Sequence, residues 1–190
     1  MRLEIRWHGR GGQGAVTAAQ ILAAAAIEEG LWAQAFPEFG AERRGAPVKA
    51  YTRIATEPIL EREPILEPNV VVVLDSTLDP KVYLDGLREE GAVIINTGKS
   101  VEEIRSLFRE KGLKEPKVVA VVNATSIAMR FLKAPIVNTA MLGAFVKAVG
   151  VIKLDTIFRL VAEKFKDKGS KVVDANITAI REAYEATRVG

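Results

Sequence analysis

The chain has 190 residues, 48% of them apolar, and a formal charge of +3 from 27 basic and 24 acidic residues. That length carries one domain with a full core, so the expectation is a single domain over residues 1–190, and the composition excludes a disordered chain. The absence of cysteine excludes a disulfide scaffold and any thiolate-held zinc or iron–sulfur site in this chain. The weak charge, without a Lys/Arg tract, argues against nucleic acid as the main partner.

Alternating charges in Met1-Arg2-Leu3-Glu4-Ile5-Arg6 predict no signal peptide. The same alternation over residues 3–7 predicts a strand. A glycine loop follows at 9–14, then an alanine-rich helix at 15–29 that Gly30 ends. Thr17 and Gln20 interrupt the longest apolar stretch, at 15–27. It is too short to span a bilayer, so a cytoplasmic protein without a membrane partner is expected. Residues 33–36 predict a short second strand, 37–47 a loop, 48–54 a third strand and 58–68 a proline-punctuated connection.

Residues 70–74, 92–95 and 118–122 are apolar, β-branched runs of the kind buried on both faces of a sheet. Helical patterns are read at 80–90, 101–111, 124–132, 139–149, 154–166 and 175–186. Strands alternating with helices imply an α/β, Rossmann-like fold: a largely parallel sheet with helices on both faces.

Gly9-Arg10-Gly11-Gly12-Gln13-Gly14 has the G-x-G-x-x-G spacing between a predicted strand and a predicted helix. Glycines let the backbone turn tightly and approach a phosphate, and free N–H groups at the helix start attract negative charge. The plain alternative is a tight turn without a ligand. A nicotinamide enzyme is the rival reading, but it wants an acidic residue at the end of the second strand. Glu38 stands there after a proline, in a glycine-containing loop.

Gly11-Gly12-Gln13-Gly14, followed by Gly40-Ala41-Glu42-Arg43-Arg44-Gly45 and then Asn138-Thr139-Ala140-Met141-Leu142-Gly143, resembles the gamma subunit of pyruvate and other 2-oxoacid:ferredoxin oxidoreductases. The resemblance runs from Arg2 to about Tyr184. Ala46 stands where the family usually has a further glycine. The resemblance implies a subunit inactive alone, working with alpha, beta and delta partners that hold thiamine diphosphate and iron–sulfur clusters. That complex cleaves a 2-oxoacid, most simply pyruvate, reduces ferredoxin and transfers the acyl group to coenzyme A. On this reading the coenzyme A site is shared by the complex, and Gly9, Gly11, Gly12, Gln13, Gly14, Glu42, Arg43, Arg44 and Asn138 bind cofactor. Two other readings stand beside it: a stand-alone nucleotide-binding oxidoreductase, and a purely structural subunit.

Asp75, Asn96 and Asn123 each close an apolar strand, where ligands of open α/β sheets bind. Asp and Asn also cap helices and turns. Capping is the preferred reading for Asn123, while Asp75 and Asn96 stay open. His8 is the only histidine. No catalytic set assembles around it, so no residue is assigned as a general base.

Overall fold

The computed structural model describes residues 1–38 and 44–190. Among them the chain runs β1 (Arg2–Arg10), α1 (Ala15–Glu28), β2 (Trp32–Pro37), β3 (Pro47–Ala55), β4 (Val70–Val73), α2 (Pro80–Tyr83), β5 (Ala92–Asn96) and α3 (Val101–Glu110). It continues through β6 (Val118–Val122), α4 (Ala124–Leu132), α5 (Asn138–Val149), α6 (Leu154–Phe165), a 3-10 turn, α7 (Ser170–Ala186) and β7 (Arg188–Val189).

The strands form one seven-stranded sheet in the order β2-β3-β1-β4-β5-β6-β7. β1, β4, β5 and β6 are mutually parallel, and the last three are the runs read from sequence as strands buried on both faces. The sheet is mixed at its margins. β2 and β3 form an antiparallel ribbon against β1, and β7 adds antiparallel to β6.

Alternation along the strands divides two cores. Ile5, Trp7, Val72 and Ile94 face α1 and α5, with α4, α6 and α7 behind. Val71, Val73, Val93 and Ile95 face the other way, toward Tyr83 of α2 and Ile104 and Phe108 of α3. Helices on both faces follow from apolar residues on both sides of β4, β5 and β6.

Local chemistry sets several boundaries. Ser100 and Glu103 form a reciprocal capping box at the start of α3. Asp79 accepts from Lys81 N–H at the start of α2, with Pro80 at the first helical position. α2 stops at Tyr83, shorter than the 80–90 pattern predicts. Gly86 has φ +74°, and a Cβ there would lie 1.9 Å from Leu66 O. A tertiary contact therefore overrides the local helical pattern.

The face of β1 and β3 turned away from α1 is polar yet buried. Arg6 donates to His8 Nε2 at 2.8 Å, to Ile65 O at 3.3 Å, to Tyr83 O at 3.2 Å and to Asp85 O. Arg53 donates to Glu63 O at 2.7 Å. These two guanidinium groups hold the proline-punctuated connection against the sheet, and each is nearly excluded from solvent.

Candidate functional site

The glycine turn is where β1 meets α1. A Cβ on Gly9 would sit 3.1 Å from Gln13 Oε1 and 3.4 Å from Leu74 Cβ. Gly12 and Gly14 have φ of +92° and +84°, a region that L side chains rarely adopt. Gly14 takes the N-cap position of α1, where there is no side-chain cap and the first turn has no acidic residue. The helix therefore starts with N–H groups that no side chain of its own cap satisfies, in the field of its positive end.

The segment 44–46 pairs with this turn. Gly11 N donates to Ala46 O at 2.8 Å, and Gly45 N donates to Gly11 O at 3.1 Å. Gly11 and Arg44 form an isolated parallel bridge. A Cβ on Gly12 would lie 3.8 Å from Arg44 Cγ, so the stem of the exposed Arg44 runs beside the turn. β2 and β1 point the same way, because each is antiparallel to β3. The loop after β2 thus leaves the same sheet edge as the glycine turn. Glu42 and Arg43 lie outside the described residues.

Gln13 braces the turn from within. Its Oε1 accepts from Arg10 N–H at 2.7 Å, and its Nε2 donates to Asp75 Oδ2 at 2.9 Å. Asp75, just past β4, also accepts from Thr77 N–H at 2.9 Å and Thr77 Oγ1 at 2.6 Å. Arg10 Nε stands 3.3 Å from Asp75 Oδ2, while its Nη1 and Nη2 donate to Gly45 O and Thr77 Oγ1. Burial alone would raise the Asp75 pKa. The bonds from Thr77 and Gln13, and the charge of Arg10, outweigh it and hold the carboxyl below its usual range. Arg10 and Thr77 were not singled out from sequence. The one available signal was an arginine inside the glycine motif.

Asn138 closes the third side. It is the first residue of α5 and is buried. A Cβ on Gly14 would lie 2.4 Å from its Nδ2, so the glycine turn and α5 touch directly. Its Oδ1 accepts from Thr139 N–H at 2.9 Å, and Thr139 Oγ1 donates to Asn176 Oδ1 at 2.8 Å, tying α5 to α7. Gly143 belongs to the same packing, since a Cβ there would meet Ile180 O at 2.3 Å.

The other strand-end residues stay out of this site. Asn96 is used up in cross-linking: Nδ2 donates to Leu74 O and Thr125 Oγ1, and Oδ1 accepts from Ala124 and Thr125 N–H. Asn123 caps α4 by accepting from Ser126 N–H at 3.0 Å, as preferred from sequence. His8 is buried and accepts from Arg6. Burial, then the charges of Arg6 and Lys49, push its pKa down to about 3. It is a neutral acceptor at physiological pH, which fits no general-base role. Glu38 bonds to the Tyr51 hydroxyl at 3.1 Å. β3 separates its strand from β1, unlike the adjacent second strand that a dinucleotide fold requires.

The model of the pyruvate ferredoxin/flavodoxin oxidoreductase family matches residues 4–186. The chain belongs to that family. Within it, the chain is 53% identical over 188 residues to the pyruvate/ketoisovalerate oxidoreductases common subunit gamma of Pyrococcus furiosus, covering 98% of each chain. It is 47% identical over 184 residues to the pyruvate synthase subunit PorC of Methanothermobacter marburgensis, covering 96% of each. The crystal structure of the pyruvate oxidoreductase subunit PORC of Thermotoga maritima superposes with a TM-score of 0.86 at 42% identity, covering 100% of this chain and 98% of that one. The family resemblance read from the three glycine and asparagine motifs is thereby established, and so is the α/β fold. The relatives are subunits of 2-oxoacid:ferredoxin oxidoreductases, and the stand-alone nicotinamide reading is not favoured.

Proposed function

We propose that this chain is the gamma subunit of a thiamine-diphosphate- and iron–sulfur-dependent complex that converts a 2-oxoacid, most simply pyruvate, to acyl-coenzyme A and reduces ferredoxin. Residues 1–190 act as one gamma-type domain. They supply the phosphate-binding wall of a coenzyme A site shared with alpha, beta and delta partners in the cytoplasm. The observation that carries this reading is the pairing of Gly11 with Arg44, which brings an uncapped helix start and the stem of Arg44 to one sheet edge.

The chemistry suits a polyphosphate. Gly12 and Gly14 admit close approach, the α1 start offers N–H donors, and Arg44 offers a planar fork. Gln13, with both ends of its amide bonded internally, acts as a positioning residue that fixes the turn against Asp75. Asn138 backs Gly14 and keeps α5 against the turn. With no cysteine in the chain, cluster ligation falls to the partners, and thiamine diphosphate supplies the carbanion chemistry on another subunit.

Gly12→Val, assembled in the complex, tests this reading by titration with coenzyme A. Loss of coenzyme A affinity with retained assembly supports the site. Affinity equal to wild type in an assembled complex contradicts it.

A further inference from the structure

A cavity of about 490 Å3 opens on the helical face beside the glycine turn. Asn138, the residue packed against Gly14, is part of its wall, and so is Thr17, within the first turn of α1. Cavity and turn therefore share a boundary. Half-buried Phe131 and Phe165 supply apolar surface, and the exposed Lys168 and Lys171 supply charge. Among the described residues, no acidic one lines the cavity. Among the described residues neither lysine enters a salt bridge, and the Lys168 ammonium lies 5.8 Å from the Phe165 ring centroid.

Such a recess combines the two elements small-ligand sites need: apolar aromatic walls and a few convergent polar groups. A planar heterocycle is attracted to half-exposed phenyl faces. Two ammonium groups without a salt bridge among the described residues stand beside them and select a ligand that carries negative charge next to its ring system. Its volume lies within the usual range of about 300–1,000 Å3 for ligand sites. The shared wall at Asn138 places any ligand in it next to phosphates seated on the turn.

We infer that this cavity is the nucleoside subsite of the acyl acceptor. The adenine lies against Phe131 and Phe165, and the ribose 3′-phosphate is held by Lys168 and Lys171. The inference rests on the proposed coenzyme A reading of the glycine turn and assigns the end of the cofactor farthest from its thiol.

The test is steady-state kinetics of the assembled complex with coenzyme A and with 3′-dephospho-coenzyme A, for wild type, Lys168→Ala/Lys171→Ala and Arg44→Ala. The double variant is expected to raise KM for coenzyme A about 10-fold, the loss of a charge-assisted contact. KM for the dephospho form should stay within about twofold, so that discrimination between the two disappears. An equal rise for both forms overturns the 3′-phosphate assignment. An unchanged coenzyme A KM in the double variant, with Arg44→Ala still raising it, overturns the subsite and leaves the glycine-turn reading standing. If neither variant moves KM, both fall. Loss of assembly, with unchanged KM values in the complex that remains, makes the lysines a partner contact and overturns the subsite.

Discussion

Gly14 and Asn138 are in contact so close that a methyl group on Gly14 would lie 2.4 Å from Asn138 Nδ2. The same glycine has φ +84°. Gly14→Ala therefore meets strain twice, once in the backbone and once against α5. It should lose about 2–4 kcal/mol of stability, compared with about 1 kcal/mol for Gly30→Ala, which shares the positive φ but has open space around it. Chemical denaturation of the two variants checks the difference.

Asp75 accepts from three residues at once. As asparagine it would keep one acceptor oxygen and present an amide to Gln13 or Thr77, leaving a donor facing a donor. Asp75→Asn should cost about 1–3 kcal/mol. It should also weaken coenzyme A binding without touching any ligand, because the turn loses its brace. Denaturation, and coenzyme A titration of the assembled complex, measure the two effects. The depressed pKa gives the pH sign: this contribution is present above the ordinary carboxylate pKa and is lost as pH falls through the lower folded value.

His8 gives a second acid-sensitive term. Its pKa falls from 6.5 to about 3 on folding, so between those values the unfolded chain binds a proton that the folded chain refuses. Stability is full above pH 6.5 and declines toward pH 3, by about 1.4 kcal/mol per pH unit from this group. His8→Gln, an uncharged side chain with an acceptor for Arg6, should flatten that limb of a stability–pH profile. An unchanged slope would show that His8 is protonated in the folded chain.

Much of this arrangement was legible in the residues. The runs at 70–74, 92–95 and 118–122 predicted β4, β5 and β6 because β-branched residues with no polar alternation fit only a doubly covered sheet. Asn123 announced a helix start. Strand direction was not legible: the residues of β2 and β3 encode extended backbone but not a partner, so the antiparallel ribbon emerged only from the pairing. α2 ends early because Leu66 O stands over Gly86, a contact between segments far apart in the chain. Gln13 stood out by identity, yet its bracing role depends on Asp75, 62 residues away, and on Arg10. The two-residue β7 is too short to give a pattern.

The central claim is that the glycine turn and Arg44 together hold the coenzyme A phosphates, and the KM split of Arg44→Ala in the assembled complex tests it most directly. Loss of a charge-assisted contact of about 1.5–3 kcal/mol predicts a coenzyme A KM raised about 10- to 150-fold, with KM for the 2-oxoacid nearly unchanged. Arg44→Lys should recover only part of the loss, since a point charge does not reproduce the bidentate fork. A raised 2-oxoacid KM with coenzyme A unaffected would contradict the claim and move this loop to the thiamine side of the reaction.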